Sequence, residues 1–335
     1  ENERAKINPK KGQVIISRSN TELFVGASAY IDNDYPNLFL PDKLWQTVPK
    51  PQINMKWLSY LLSSRYVRYT LSKLATGTSG SMKNITKGEL LTLKVLIPPS
   101  AEQNKIAQIL STWDKAITTT KQLLANSQQQ KKALMQQLLT GKKRLLDENG
   151  VRFSGEWLGK RLSELADVYQ PKTISQSVLT DTGYPVYGAN GVIGYYESFN
   201  HEREQIAVTC RGSTCGVVNW TQPRSWITGN AMVINTDDMP SICKKFLFYV
   251  LSGSNLNYLI SGSGQPQITR SIKNHLVDVP KLEEQQKIAA VLSTADNEIA
   301  ALQQKLDALK QEKKALMQQL LTGKRRVKVD DEEAA

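Results

Sequence analysis

Cysteine is scarce in this chain, with three in 335 residues, Cys210, Cys215 and Cys243. So few thiols, with no Cys-x-x-Cys pair among them, exclude a disulfide framework and make reduced cytoplasm the expected compartment. Histidine is scarcer still, at two. His201 with Cys210 and Cys215 matches no zinc-ligand spacing, so no metal is expected. No apolar run is long enough to cross a bilayer, and no signal peptide leads the chain, which begins at Glu1 rather than Met. The phosphate-loop pattern is missing, because Gly141 and Gly323 precede lysines but lack the upstream glycine. Asn-Pro-Pro and Asp-Pro-Pro are missing too. Pro41-Asp42 stands without the positioned second acid and lysine that metal-assisted cleavage needs. Nothing here reads as catalytic or cofactor-binding, and the expectation is a chain that binds no cofactor of its own.

What is present is basic charge and repetition. Lys and Arg number 43 against 31 Asp and Glu, a formal net charge of +12 that suits an anionic partner. The length allows two domains, each with its own core. Pro98 to Arg144 returns as Pro280 to Arg326 without a gap, and the stretch KKALMQQLLTGK is unchanged at Lys131–Lys142 and Lys313–Lys324. A repeat at so wide a spacing denotes a duplicated two-part unit rather than a stacked array. Each unit is a globular segment followed by one long helix.

In the second copy, apolar residues at Ile288, Leu292, Ala295, Ile299, Leu302, Leu306, Leu309, Leu316 and Leu320 alternate at four- and three-residue steps, and only Lys313 interrupts them. That is a heptad seam. The first copy keeps the frame with Ile106, Leu110, Trp113, Ile117, Leu124, Leu134 and Leu138, but sets Thr120, Ser127 and Lys131 on it. The weaker stripe needs the other copy as partner. Gly141 reads as a helix-ending glycine, and the connectivity that follows predicts an antiparallel pair in which Lys313 faces Trp113 and Lys131 faces Ala295. Each helix of about 40 residues would span roughly 60 Å and hold the globular segments at opposite ends. Off the seam, Leu123, Met135, Leu139, Met317 and Leu321 predict an exposed apolar patch near each end, suited to partner docking.

Between the helices, 153–279 reads as mixed α and β. Strand-like runs fall at Pro185–Tyr187, Gly191–Tyr196, Gln205–Thr209, Gly216–Trp220, Ala231–Ile234 and His275–Val279, with one helix over Lys244–Leu259. The first segment repeats the closing half of that order: a strand Gln13–Ser17, a helix Lys56–Leu74, a loop Thr76–Thr86 and a strand Leu91–Ile97. It lacks most of the stretch Trp157–Glu204 that opens the second, so it reads as cut at its N-terminus and is not expected to fold alone.

The proline followed by Glu-Gln and Ile-Ala (Pro98, Glu102, Gln103, Ile106, Ala107; Pro280, Glu284, Gln285, Ile288, Ala289), the KKALMQQLLTGK helix ends and the glycine-rich loops before each helix resemble the specificity subunits of type I restriction-modification systems. The resemblance covers essentially the whole chain. It implies an α+β architecture of two target recognition domains separated by two long antiparallel coiled-coil helices with a pseudo-two-fold internal repeat. The corresponding division is 1–97 (first recognition domain, N-terminally incomplete), 98–141 (spacer helix), 142–152 (linker), 153–279 (second recognition domain), 280–323 (spacer helix) and 324–335 (charged tail). It implies double-stranded DNA as partner, two methyltransferase subunits docked on the helices, where the off-seam Met135, Leu139, Met317 and Leu321 are the expected contacts, and motor and nuclease subunits joining them. S-adenosylmethionine would belong to the methyltransferase.

Reading base edges takes Arg, Lys, Asn and Gln on loops, with small residues that let backbone N–H groups approach phosphates. Tyr187, Asn190, Arg211, Ser213, Thr214, Gln265 and Gln267 fit in the second segment, and Arg18, Thr78, Ser79, Ser81, Lys83 and Asn84 in the first. The rival reading is a scaffold whose helices assemble partners without DNA preference.

Overall fold

The computed structural model describes residues 7–77, 82–189, 191–262 and 265–329. It is a mixed α and β chain that divides into two compact units, one of Glu1–Leu123 with Leu302–Ala335 and one of Leu124–Ala301. Each contains part of both 39-residue helices, Ser100–Leu138 and Leu282–Leu320.

In the first unit, strand Val14–Ser17 lies between Ser28–Tyr30 and Leu44–Gln46 in an antiparallel sheet, with Val14 opposite Tyr30 and Ile16 opposite Trp45. Helix Met55–Ser63 covers it with Trp57, which is fully buried. The sequence suggested one helix over Lys56–Leu74, but the chain breaks at Ser64, whose extended backbone (φ −64°, ψ 150°) ends the first helix and whose hydroxyl caps a second, Arg65–Leu74. Ser and Asn offer helix N–H groups an alternative acceptor, which is why they favour such starts. Ile106, Leu110, Leu320 and Leu321 complete the core from the two long helices. The expected strand Leu91–Ile97 does not form among the described residues: a short helix occupies Lys87–Leu91, and 93–99 pairs with no described strand.

The second unit is larger. Its main sheet is antiparallel, in the order Val218–Trp220, Ile206–Thr209, Ala231–Asn235, Asp167–Tyr169. Strand Ile206–Thr209 is buried on both faces, with Ile206 and Val208 in the principal core and Ala207 in a second cluster with Tyr187, Ile227, Ala231 and Val233. That explains its unbroken apolar sequence. Tyr184–Gly188 pairs with Gly191–Tyr196 and, in parallel, with Trp226–Ile227. The expected helix Lys244–Leu259 is α-helical only over Lys244–Gly253; Ser254 is extended and ends it, and a separate 3-10 turn follows at Asn257–Leu259. Leu276–Val279 pairs with Leu158–Arg161, from which a turn carries Leu162 and Leu165 into the core beside Phe246, Leu138 and Ile288.

Both long helices end alike. Gly141 and Gly323 take positive φ (67° and 71°), and the N–H groups of Lys143 and Arg325 reach back to the carbonyls of Gln137 and Gln319. Glycine enters this left-handed conformation without a Cβ penalty. The reversal delivers Arg144 onto Glu284 in the second unit and Arg326 onto Glu102 in the first.

Candidate nucleic-acid interface

The same corner is built in both units. In the first, the chain leaves the central strand at Ser17, and the carbonyl of Arg18 accepts the Ile85 N–H at 2.8 Å. Ser19 and Asn20 then pair with Asn84 and Lys83. In the second, the carbonyl of Cys210 accepts the Ile268 N–H at 3.0 Å, Arg211 bridges to Gln267, and the Gly212 N–H meets the Pro266 carbonyl. One residue further on, Thr86 and Thr269 cap the helical turns that follow. Each corner thus joins the turn after a central strand to the polar loop before the long helix, although the two lie far apart in sequence.

The side chains there are mostly presented to solvent. Arg18 is exposed, with its guanidinium 6.0 Å from the Trp45 ring centre, and Lys83 donates to the Gly77 carbonyl at 3.2 Å. Arg211, Ser213, Gln265 and Gln267 are exposed and Thr214 is half-buried. Gly212 has φ 86°, and a Cβ there would meet nothing, so the turn needs glycine for its backbone rather than for space. The Thr209 hydroxyl donates to the Ala189 carbonyl, which ties the neighbouring turn to the same edge. Burial pushes the Cys210 and Cys215 thiols above their usual range, which suits inert packing rather than reactivity.

Two expectations need correcting. Tyr187 points inward: it is 7% exposed and its hydroxyl accepts the Gln222 N–H at 3.0 Å, so it supports the loop instead of meeting a ligand. Of the apolar residues expected to form docking patches, Leu123 is 49% exposed, whereas the other four pack within their own unit. Leu321 is buried and Met317 packs beside it on the first core, while Met135 and Leu139 pack on the second, within 3.6 Å of where a Gly253 side chain would begin. A helix buries more than its heptad stripe when a globular segment covers it from the side. Thr78, Ser79, Ser81 and Asn190 lie outside the described residues.

Sequence reasoning named Gln103 and Gln285 only as part of the resemblance, and in the structure they fasten the chain before each helix of the globular segment to the long helix. Gln103 accepts the Asn54 N–H and donates to the Pro98 and Gln52 carbonyls, and Gln285 does the same with Cys243, Pro280 and Ser241. Lys313 reaches Asp114 with its ammonium 5.2 Å from the Tyr60 ring, and Lys131 reaches Asp296 with its own 5.4 Å from Tyr249. The expected pairing register is met to within a residue, with tyrosines taking the aromatic place expected of Trp113. Tyr60 and Tyr249 donate to those same carboxylates at 2.6 and 2.7 Å, and burial is the larger of the effects that hold both hydroxyls protonated. The available signal was identity between copies: Glu-Gln and the Asp of Leu-Ser-Thr-x-Asp occur in both.

The two units repeat one design, a polar loop pair at the edge of the central strand with Gln and Glu–Arg contacts joining the long helices to the chain around them. A family model for the type I restriction modification DNA specificity domain matches residues 1–126 and 154–311, and the chain belongs to that family. It is thereby placed among the DNA-specificity components of type I systems. It is 26% identical over 319 residues to the type I restriction enzyme MjaVIII specificity subunit of Methanocaldococcus jannaschii, covering 82% of this chain and 73% of that one. A shorter match, 33% identical over 114 residues, is to the EcoprrI specificity subunit of Escherichia coli and takes in 28% of that protein's length. In fold it is similar to the type I restriction-modification S subunit from M. genitalium, with a TM-score of 0.69, 18% identity, and coverage of 94% of this chain and 84% of that one.

Proposed function

We propose that this chain is the non-catalytic subunit that reads DNA sequence for a cytoplasmic type I restriction-modification enzyme. Two target recognition domains, 1–97 and 153–279, each read one half of a bipartite site through the loops at their corners. The helices of 98–141 and 280–323 form an antiparallel coiled-coil spacer with pseudo-two-fold symmetry and hold two methyltransferase subunits, to which motor and nuclease subunits attach. Catalysis and S-adenosylmethionine belong to those partners. With Met135, Leu139, Met317 and Leu321 engaged internally, docking falls to the polar outer faces of the helices.

The observation that carries this reading is the recurring corner, with Arg18, Lys83 and Asn84 in one unit and Arg211, Ser213, Thr214, Gln265 and Gln267 in the other. A basic side chain and amide groups on a rigid turn are what major-groove edges require, and the nearby hydroxyls and N–H groups suit phosphates. The net charge of +12 supplies the general attraction. The test is DNA binding by the chain assembled with methyltransferase subunits, together with sequencing of methylated sites in cells carrying the system. Preference for one bipartite sequence over scrambled DNA is expected; equal affinity for both would favour the scaffold reading.

A further inference from the structure

The turn that follows the central strand differs between the two corners. In the second unit it runs through 210–215 and is polar at its tip, where Arg211 and Ser213 are exposed and no large apolar side chain faces solvent. In the first it runs through 18–25, eight residues against six, and carries Leu23 and Phe24, which are 74% and 55% exposed. The frame is otherwise the same. The Ser17 N–H donates to the Ala27 carbonyl and the Gly26 N–H to the Ser17 carbonyl, as Thr209 does with Val217 and Gly216 with Thr209. In the second unit the stretch ahead of the central strand is in place, with the Ala189 carbonyl accepting the Thr209 hydroxyl, and Arg211 and Ser213 are exposed all the same. Exposure therefore belongs to the tip itself.

Leu23 and Phe24 are held firmly. Val25, next in the chain, is fully buried in the first core. Arg68, from the helix Arg65–Leu74, donates to the Leu23 and Val25 carbonyls at 2.7 and 2.6 Å, and the Ala27 N–H donates to the Phe24 carbonyl at 3.0 Å. Gly26, at φ 71°, lies so close to that helix that a Cβ would come within 2.8 Å of Leu71. A turn fastened at three successive carbonyls has little conformational freedom left to lose on binding. It is also continuous with the pairs Ser19–Asn84 and Asn20–Lys83, so the apolar tip follows directly on the polar part of the corner.

We propose that Leu23 and Phe24 clasp the C5-methyl group of a thymine in the major groove, so that the first unit selects one A·T pair of its half-site by apolar contact. The proposal rests on the reading of the corner as a DNA-binding surface. Among the groups that base pairs present in the major groove, the thymine methyl is the apolar one, and it is the complement there for an exposed leucine and phenylalanine beside Arg18 and Lys83. Glu22, exposed at the same tip, argues the same way: phosphates repel a carboxylate, whereas the amino group of cytosine donates to one, so the tip is directed at base edges. The second unit has no such pair and reads its half-site without this contact.

The experiment measures binding of the chain, assembled with methyltransferase subunits, to duplexes that carry the site found by sequencing methylated DNA. Each thymine in turn is replaced by deoxyuridine, which lacks only the methyl. At one position the replacement should weaken binding about fourfold, the worth of one buried methyl group. In the Leu23→Ser, Phe24→Ser variant, whose fold and assembly are checked by circular dichroism and sedimentation, thymine and deoxyuridine at that position should bind equally. Val151→Ser, a change at an exposed apolar residue of the second unit away from the corner, should keep the difference. Equal affinity for the site and for scrambled DNA would defeat the DNA-reading proposal itself. Discrimination between those two with no deoxyuridine effect, or with every such effect persisting in the Leu23→Ser, Phe24→Ser variant, would overturn this inference alone. So would loss of methyltransferase assembly in that variant with its fold intact, because the pair would then be a protein contact.

Discussion

The Glu284 carboxylate is almost sealed from solvent, with 2% of its side chain exposed, and Arg144 grips both of its oxygens at 2.6 Å. Removing one partner of a buried pair leaves the other uncompensated, so Arg144→Ala should cost about 3–5 kcal/mol of second-unit stability in denaturant titrations. Arg326→Ala should cost less, because that guanidinium stands largely in water, where screening weakens the pair. Both histidines lie in the second unit, His201 between Tyr169 and Asn200 and His275 against Tyr258, and burial drives both below the ordinary imidazole value. A depressed folded value means that the unfolded chain takes up protons first. The stabilisation is therefore complete above the unfolded value of about 6.5 and is lost as pH falls through the interval down to the folded value. Urea midpoints of the second unit should drop between pH 7.5 and 5.5, and His201→Gln with His275→Gln should flatten that dependence; an unchanged slope would sink the assignment. For DNA, Arg211→Ala should cost about 1–3 kcal/mol on the cognate site and relax preference at one base pair. Lys83→Ala should weaken binding to all sequences and lower the salt slope by about one.

At the scale of elements, the lysines that interrupt the heptads are answered jointly by the facing helix and by the globular segment. Lys313 and Lys131 each lay an ammonium between a carboxylate of the facing helix and a tyrosine of the globular segment. The aspartates remain 45% and 38% exposed and keep their tyrosine hydrogen bonds, so replacing both lysines by leucine should change stability by only about 1 kcal/mol. What weakens is the choice of register, the best-attested use of a polar group on an apolar seam. Spin labels at Gln108 and Gln318 should report a narrow distance in the parent protein and a broader one in the Lys131→Leu, Lys313→Leu variant. An equally narrow distribution would show that the apolar residues alone fix the register.

For the whole molecule, the prediction belongs to the proposed arrangement of two recognition domains on a helical spacer. Half-sites approached from one side of the duplex should be centred about one turn, near 10 base pairs, apart. Inserting four residues after Ser127, matched by four after Leu309 to keep the seam paired, lengthens the helices by about 6 Å, close to two base pairs. The methylated site should keep both half-sequences and gain about one to three base pairs between them. A fixed spacer in a protein that still assembles and methylates would mean that the helices are not the ruler.

The sequence by itself determined the long helices, the glycine end of the first, and the strand-like runs Gln13–Ser17, Gly191–Tyr196, Gln205–Thr209, Ala231–Ile234 and His275–Val279, which the structure meets to within a residue, because these are set by periodicity and turn chemistry within a dozen residues. It also pointed to the loops around Arg18, Lys83, Arg211 and Gln267 from their residue types alone. Only the tertiary structure decided that Arg18 meets Ile85 and Arg211 meets Gln267, that Tyr187 turns inward, and that Met317 and Leu321 are covered by their own unit. The strand expected at Leu91–Ile97 shows the reason most directly. Its sequence matches Leu276–Val279 in position, yet a strand exists only through hydrogen bonds to a neighbour, and among the described residues no segment stands beside 94–97 as Leu158–Arg161 stands beside Leu276–Val279.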